Sequence, residues 1–112
     1  MNLEQAQQLL NAERRRVQGL LQETLETGLA DREAANEPGD LTDPAERLVA
    51  EVYDDNVAAG LRERLEAIER AELRLAHGTY GRSVRSGLPI ADDRLEADPA
   101  AELTVEEAAQ DR

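Results

Sequence analysis

The stretch Ala34-Ala35-Asn36-Glu37-Pro38-Gly39-Asp40-Leu41-Thr42-Asp43-Pro44-Ala45-Glu46 decides the fold of this 112-residue chain. Pro38-Gly39 is a strong turn signal, and Asn36 and Asp40 support it. A helix start follows at once. Asp43 stands before Pro44 with Glu46 three positions later, which supplies an N-cap, a Pro at the first helical position and a capping-box partner. If the segments on either side are helical, a turn this short must fold one back on the other.

Both sides read as helix. Upstream, Leu3, Leu10, Val17, Leu21, Leu25 and Leu29 step by seven or four, which puts them on one helical stripe. The spacing predicts a helix from Leu3 to about Arg32, about 45 Å long. Gly19 and Gly28 weaken it only locally, and Arg14-Arg15-Arg16 reads as a solvated patch. Downstream, Ala45, Val49, Val52, Leu61, Leu65, Ile68 and Leu75 predict a second helix from Pro44 to about Ala76. Its phase drifts between Tyr53 and Gly60. Arg62, Arg64, Glu66, Glu69, Arg70 and Arg74 alternate charge over its solvent face, and His77-Gly78 ends it. Residues 1–77 are therefore expected to form an antiparallel coiled-coil hairpin with its tip near 34–44.

Residues 78–112 are different in kind. Gly81, Gly87, Pro89 and Pro99 break the chain into turns, and its apolar residues are Tyr80, Val84, Leu88, Ile90, Leu95, Leu103 and Val105. That is too little to stabilise a separate domain without a metal or packing on the helices. The tail from Val105 to Arg112 is expected to be a short helix or a frayed end.

Composition agrees with a mainly α fold. Ala and Leu supply most of the 40% hydrophobic fraction, Phe and Trp are absent, and Tyr53 and Tyr80 are the only aromatics. A β-sandwich would need far more β-branched and aromatic side chains. The thirteen basic residues are all Arg and face twenty-five acids, for a net charge of −12. Such a field disfavours direct binding to DNA or to an anionic membrane surface. Without Cys there is no disulfide, thiolate metal site or Cys nucleophile. Met1-Asn2-Leu3-Glu4-Gln5 lacks the features of a signal peptide, and no apolar run reaches the roughly 20 residues that span a bilayer, so a cytoplasmic protein is expected. With no phosphate-cradling Gly loop and no assembled acid–base–nucleophile set, an enzyme is the weakest reading.

Three motifs resemble the DksA/TraR family of bacterial regulators that bind RNA polymerase. Gly78-Thr79-Tyr80-Gly81, Gly87-Leu88-Pro89-Ile90 and Arg94-Leu95-Glu96-Ala97-Asp98-Pro99-Ala100-Ala101 look like that family's C-terminal zinc-finger module. Asp40-Leu41-Thr42-Asp43-Pro44-Ala45 resembles the Asp-x-x-Asp-x-Ala signature at its coiled-coil tip, and Arg64 to Leu75 resembles the end of its second long helix. The resemblance implies a hairpin that enters the secondary channel of RNA polymerase, with Asp40, Asp43 and Ala45 at the tip modulating initiation. It also implies four zinc-binding cysteines. At those positions stand Ser83, Ser86, Thr104 and Glu107, so a zinc-finger-like module without metal and without a cofactor is expected.

Plainer readings stand beside these. Asp43 is fully explained as an N-cap and Asp40 as a turn residue. His77 is expected to be a solvated helix-end imidazole. Asp92, Asp93 and Glu96 could hold a hard cation but read better as surface. Regulation of related proteins by the nucleotide ppGpp depends on basic residues, and a nucleotide effector is left open here, with no Arg assigned to it. The rival function is a non-catalytic helical-hairpin protein that self-associates or binds another protein and has lost the polymerase.

Overall fold

The computed structural model describes the backbone of residues 1–35 and 44–111, and the side chains of residues 1–28 and 52–111. Four helices follow in order: α1 Leu3–Ala35, α2 Pro44–Ala76, α3 Asp92–Ala97 and α4 Val105–Gln110. The described residues contain no strand beyond an isolated antiparallel bridge between Arg82 and Pro89. The fold is mainly helical, as expected.

α2 has the bounds its sequence predicts, while α1 runs three residues past Arg32. Glu33, Ala34 and Ala35 are good helix formers, and the first breaker is Pro38, which also restrains the residue before it. α1 opens with a cap of its own. The Asn2 side chain accepts from the Gln5 backbone N–H at 2.8 Å, and the Gln5 side chain accepts from the Asn2 N–H at 3.1 Å. α2 closes on Gly78 at φ 78°, a left-handed conformation that glycine adopts without penalty. The Thr79 N–H then reaches the Arg74 carbonyl at 2.9 Å and the Gly78 N–H reaches that of Leu75 at 3.3 Å, a Schellman pair.

The chain divides into two compact units. One comprises Met1–Arg15 and Leu65–Arg112. Here α1 and α2 lie antiparallel, with Leu3, Gln7, Leu10 and Asn11 across a shallow groove from Glu72, Leu75 and Ala76. Leu10 and Ile68 are fully buried, with Ala6 and Ala71 beside them in the same stripes. The Arg14 guanidinium donates through Nε to Glu72 at 3.3 Å and through Nη2 to the other carboxylate oxygen. Arg14 is therefore half-buried and paired, not part of a solvated run. The hydrogen bond to Glu72 is also what raises its pKa. The remainder of this unit has its own small core of Ile90, Leu95 and Ala101, with Tyr80 packed against it. The Tyr80 hydroxyl donates to the Pro99 carbonyl at 2.8 Å, and burial pushes its pKa up. Arg94 donates to the Leu103 carbonyl at 2.9 Å, and Arg70 pairs with Glu102 at 2.9 Å. Asp92, expected as plain surface, holds the N-terminal amine at 3.0 Å.

The other unit is Arg16–Arg64. Val17, Gly28 and Ala58 are buried, and Leu21, Thr24, Val57 and Leu61 are half-buried. Gly28 lies against Asp54: a Cβ built on it would stand 3.8 Å from the Asp54 carboxylate. This stripe is thinner than that of Leu10 and Ile68, because Gly, Ala and Thr hold positions where Leu could stand.

Three stripe assignments fail. Leu3, Leu25 and Val52 are exposed, whereas Ala6, Ala58 and Ala71 are buried. Large residues one step off the narrow contact line project past the partner helix, while Ala on the line permits close approach. Leu29, Ala45 and Val49 belong to helices whose side chains are not described there.

Ile68→Ala is expected to cost about 2–5 kcal/mol in denaturant unfolding, because it empties a fully buried site. Leu73→Ala, on the exposed side of α2, should stay within about 0.5 kcal/mol of wild type. Equal losses would show that the contact line had been placed on the wrong face.

Candidate functional site

The sequence points to two places, the hairpin tip and the four positions that resemble metal ligands. Asp40 and Asp43 lie outside the described residues, and Ala45 lies in α2 with its side chain undescribed.

The four ligand-like positions come together. The backbone brings the first pair there through a tight turn: the Ser83 N–H donates to the Leu88 carbonyl at 2.8 Å, and the Gly87 N–H to that of Ser83 at 2.9 Å. Gly87 at φ 75° permits the reversal. The buried Ser83 hydroxyl oxygen then accepts from the N–H groups of Arg85 and Ser86 at 3.1 and 3.2 Å. Thr104 caps α4. Its hydroxyl accepts from the Glu107 N–H at 3.2 Å, and the Glu107 carboxylate accepts from the Thr104 N–H at 3.1 Å. The tail is thus a capped helix rather than a frayed end.

Glu107 joins the two halves. Its second carboxylate oxygen accepts from the Ser83 hydroxyl at 3.0 Å, and the residue is only 8% exposed. These bonds favour the ionised acid, in which both oxygens accept at full strength. Donation from Ser83 and then from the Thr104 backbone pulls the Glu107 pKa from 4.5 down to about 2, against the opposing effect of burial. Just outside, Arg85 pairs with Asp111 at 2.8 Å, tying the turn to the far end of α4.

This cluster does not fit a zinc ion. Neutral hydroxyls are poor ligands for zinc, and both available oxygens of Ser83 and Thr104 are already engaged. Among the described residues no group of three or more His, Cys, Asp or Glu could hold a metal ion. Chemically the cluster does the opposite of a zinc site. An anion, rather than a cation, is surrounded by donors that neutralise it.

The family resemblance singled out these four residues but not their cohesion, although Thr104-x-x-Glu107 is itself a capping-box signature. No helix among the described residues is long and apolar enough to cross a membrane.

Two measurements check this cluster. Glu107→Gln is expected to lower the melting temperature at pH 7. A depressed native pKa contributes stability above about pH 4.5 and loses it as pH falls towards 2, so the gap between wild type and variant should close over that range. A gap independent of pH would mean that the charge is not what the cluster uses. Exhaustive chelation should leave the melting temperature of the wild type unchanged, and a drop would overturn the metal-free reading.

No known protein-family profile matches the chain, and no curated protein matches it. Among solved structures it is similar to that of the transcription factor DksA2 from Pseudomonas aeruginosa, with a TM-score of 0.80 and 26% sequence identity. The match covers 97% of this chain and 81% of that one. The chain therefore has a DksA-like fold.

Proposed function

We propose that the chain is a bacterial, cytoplasmic regulator that docks on RNA polymerase through its secondary channel and modulates initiation, without catalysis of its own. The observation that carries this reading is the structural likeness, over 97% of this chain, to a DksA2 transcription factor. Three features of the chain support it. Two 33-residue helices supply a stiff support. The sequence joining them carries Asp40 and Asp43. The C-terminal residues pack with the start of α1 and the end of α2 in one compact unit.

The roles then divide by chemistry. Asp40 and Asp43 supply negative charge, and the neighbouring Ala45 leaves room for close approach. The net charge of −12 keeps the chain off DNA and off an anionic membrane, so its effect on transcription runs through a protein contact.

The test is binding of purified chain to bacterial RNA polymerase with initiation assayed in parallel, for wild type, Asp40→Asn/Asp43→Asn and Glu46→Gln. Wild type should bind at about micromolar concentration or tighter and shift initiation. The double variant should bind with little loss and have no effect. Glu46→Gln is the control: Gln serves a capping box as Glu does, so it removes a neighbouring charge outside the tip pair and should bind and shift initiation as wild type does. No binding at low salt would overturn the polymerase reading and leave a hairpin that serves another protein.

A further inference from the structure

The start of α1 and the end of α2 present two different sides. On one side Gln5, Gln8 and Leu9 of α1 face Asp92 and Glu96 of α3, and Arg70 of α2 pairs with Glu102. The other side is the shallow groove between α1 and α2, about 360 Å³ in volume. Leu3, Gln7 and Asn11 stand at successive turns of α1 along one rim, with Leu75 and Ala76 along the other. Leu10 is buried at its floor, while Leu3 is 65% exposed, more than any other described Leu.

The chemistry of this face selects its occupant. In a chain of net charge −12, the groove has one charged lining residue, Glu72, and Arg14 already neutralises it. Neither a basic nor an acidic partner surface finds its counterpart here. The remaining polar groups are the exposed side chains of Gln7 and Asn11, and each amide is both donor and acceptor. A two-fold contact sets a surface against itself. There a charge repels its copy, whereas an amide bonds to its copy. The face is therefore self-complementary, with a Leu to insert and a groove to receive it.

We infer that this face is an isologous contact between two copies of the chain. Leu3 of each copy sits in the groove of the other, and the Gln7 and Asn11 amides bond across the axis. The contact is small for a stable dimer, so association is weak, with a Kd of about 10–100 µM. Its salt dependence is inverted. The contact face is neutral while the two chains repel through their net charge, so added salt screens the repulsion and tightens the dimer. The inference goes beyond the polymerase reading and is independent of it.

The experiment is sedimentation equilibrium of the full chain, from low micromolar to near-millimolar concentration, in low and in high salt. The variants are Leu3→Ser and Leu73→Ser. Each removes an exposed Leu, 65% and 59% respectively, so both should keep the circular dichroism of the wild type, but only Leu3 belongs to the groove. Wild type is expected to dimerise, more so in high salt. Leu3→Ser should weaken dimerisation by at least about tenfold, since each dimer loses two buried Leu side chains. Leu73→Ser should match the wild type. A wild type that stays monomeric at every concentration and salt overturns the inference and gives the groove to another occupant. Equal loss in the two variants would reduce the association to general stickiness. Dimerisation that survives Leu3→Ser, or that weakens with salt, puts the contact elsewhere and overturns it too. No polymerase is present in the assay, so that reading survives each of these outcomes.

Discussion

The fold depends on burying two narrow stripes, one on each long helix, with very little large apolar material. Leu10, Val17 and Ile68 are the fully buried large side chains of α1 and α2 among the described residues, and Ala6, Ala58 and Ala71 fill much of the remainder. Ala contributes little transfer energy but lets helices approach closely, so each Leu or Ile on the line counts for more. That economy explains why polar groups share the line. Arg14 and Glu72 are half-buried at the stripe's edge and satisfy each other with two hydrogen bonds. A lone Arg at that place would leave its donors short of partners, which is the costlier arrangement.

At the other end of the same compact unit the problem is smaller and solved differently. Ile90, Leu95, Ala101 and Tyr80 are too few to fix a loop-rich segment by burial alone. Directional bonds supply what is missing. A zinc ion would do this by taking four ligands at fixed angles. Here one carboxylate takes donors from a turn and from a helix start, so Ser83 and Thr104 are held relative to each other through Glu107. The charge makes those hydrogen bonds stronger than neutral ones would be. The same charge sets the limit of the device, since protonating the acid removes what the donors bind.

The sequence was most legible where local chemistry alone decides. Pro44 and Gly78 bound α2 because an imino ring and a left-handed turn each act within a few residues, whatever packs nearby. It was least legible where a neighbour decides. A seven-residue period shows that Leu3, Leu25 and Val52 belong to helices, but which residues meet the partner depends on the partner's rotation, and all three are exposed. Arg14 shows the same limit, since three consecutive Arg look solvated until Glu72 is opposite one of them. The Ser83, Ser86, Thr104 and Glu107 positions were legible only through the family resemblance, as the places where the family has its cysteines. Their cohesion was not, because the Ser83–Glu107 bond spans 24 residues and only a closed loop brings it about.

Charge is concentrated in one part of the sequence. Eleven acids between residues 23 and 55 repel one another in the free chain, and the thin stripe of Val17, Gly28 and Ala58 offers modest cohesion against that repulsion. A basic partner would remove that repulsion on binding, so relief of repulsion would form part of its electrostatic gain. Salt relieves the same repulsion without a partner while weakening the attraction to one. Added salt should therefore stabilise the free hairpin and loosen the complex, two effects of opposite sign with one cause.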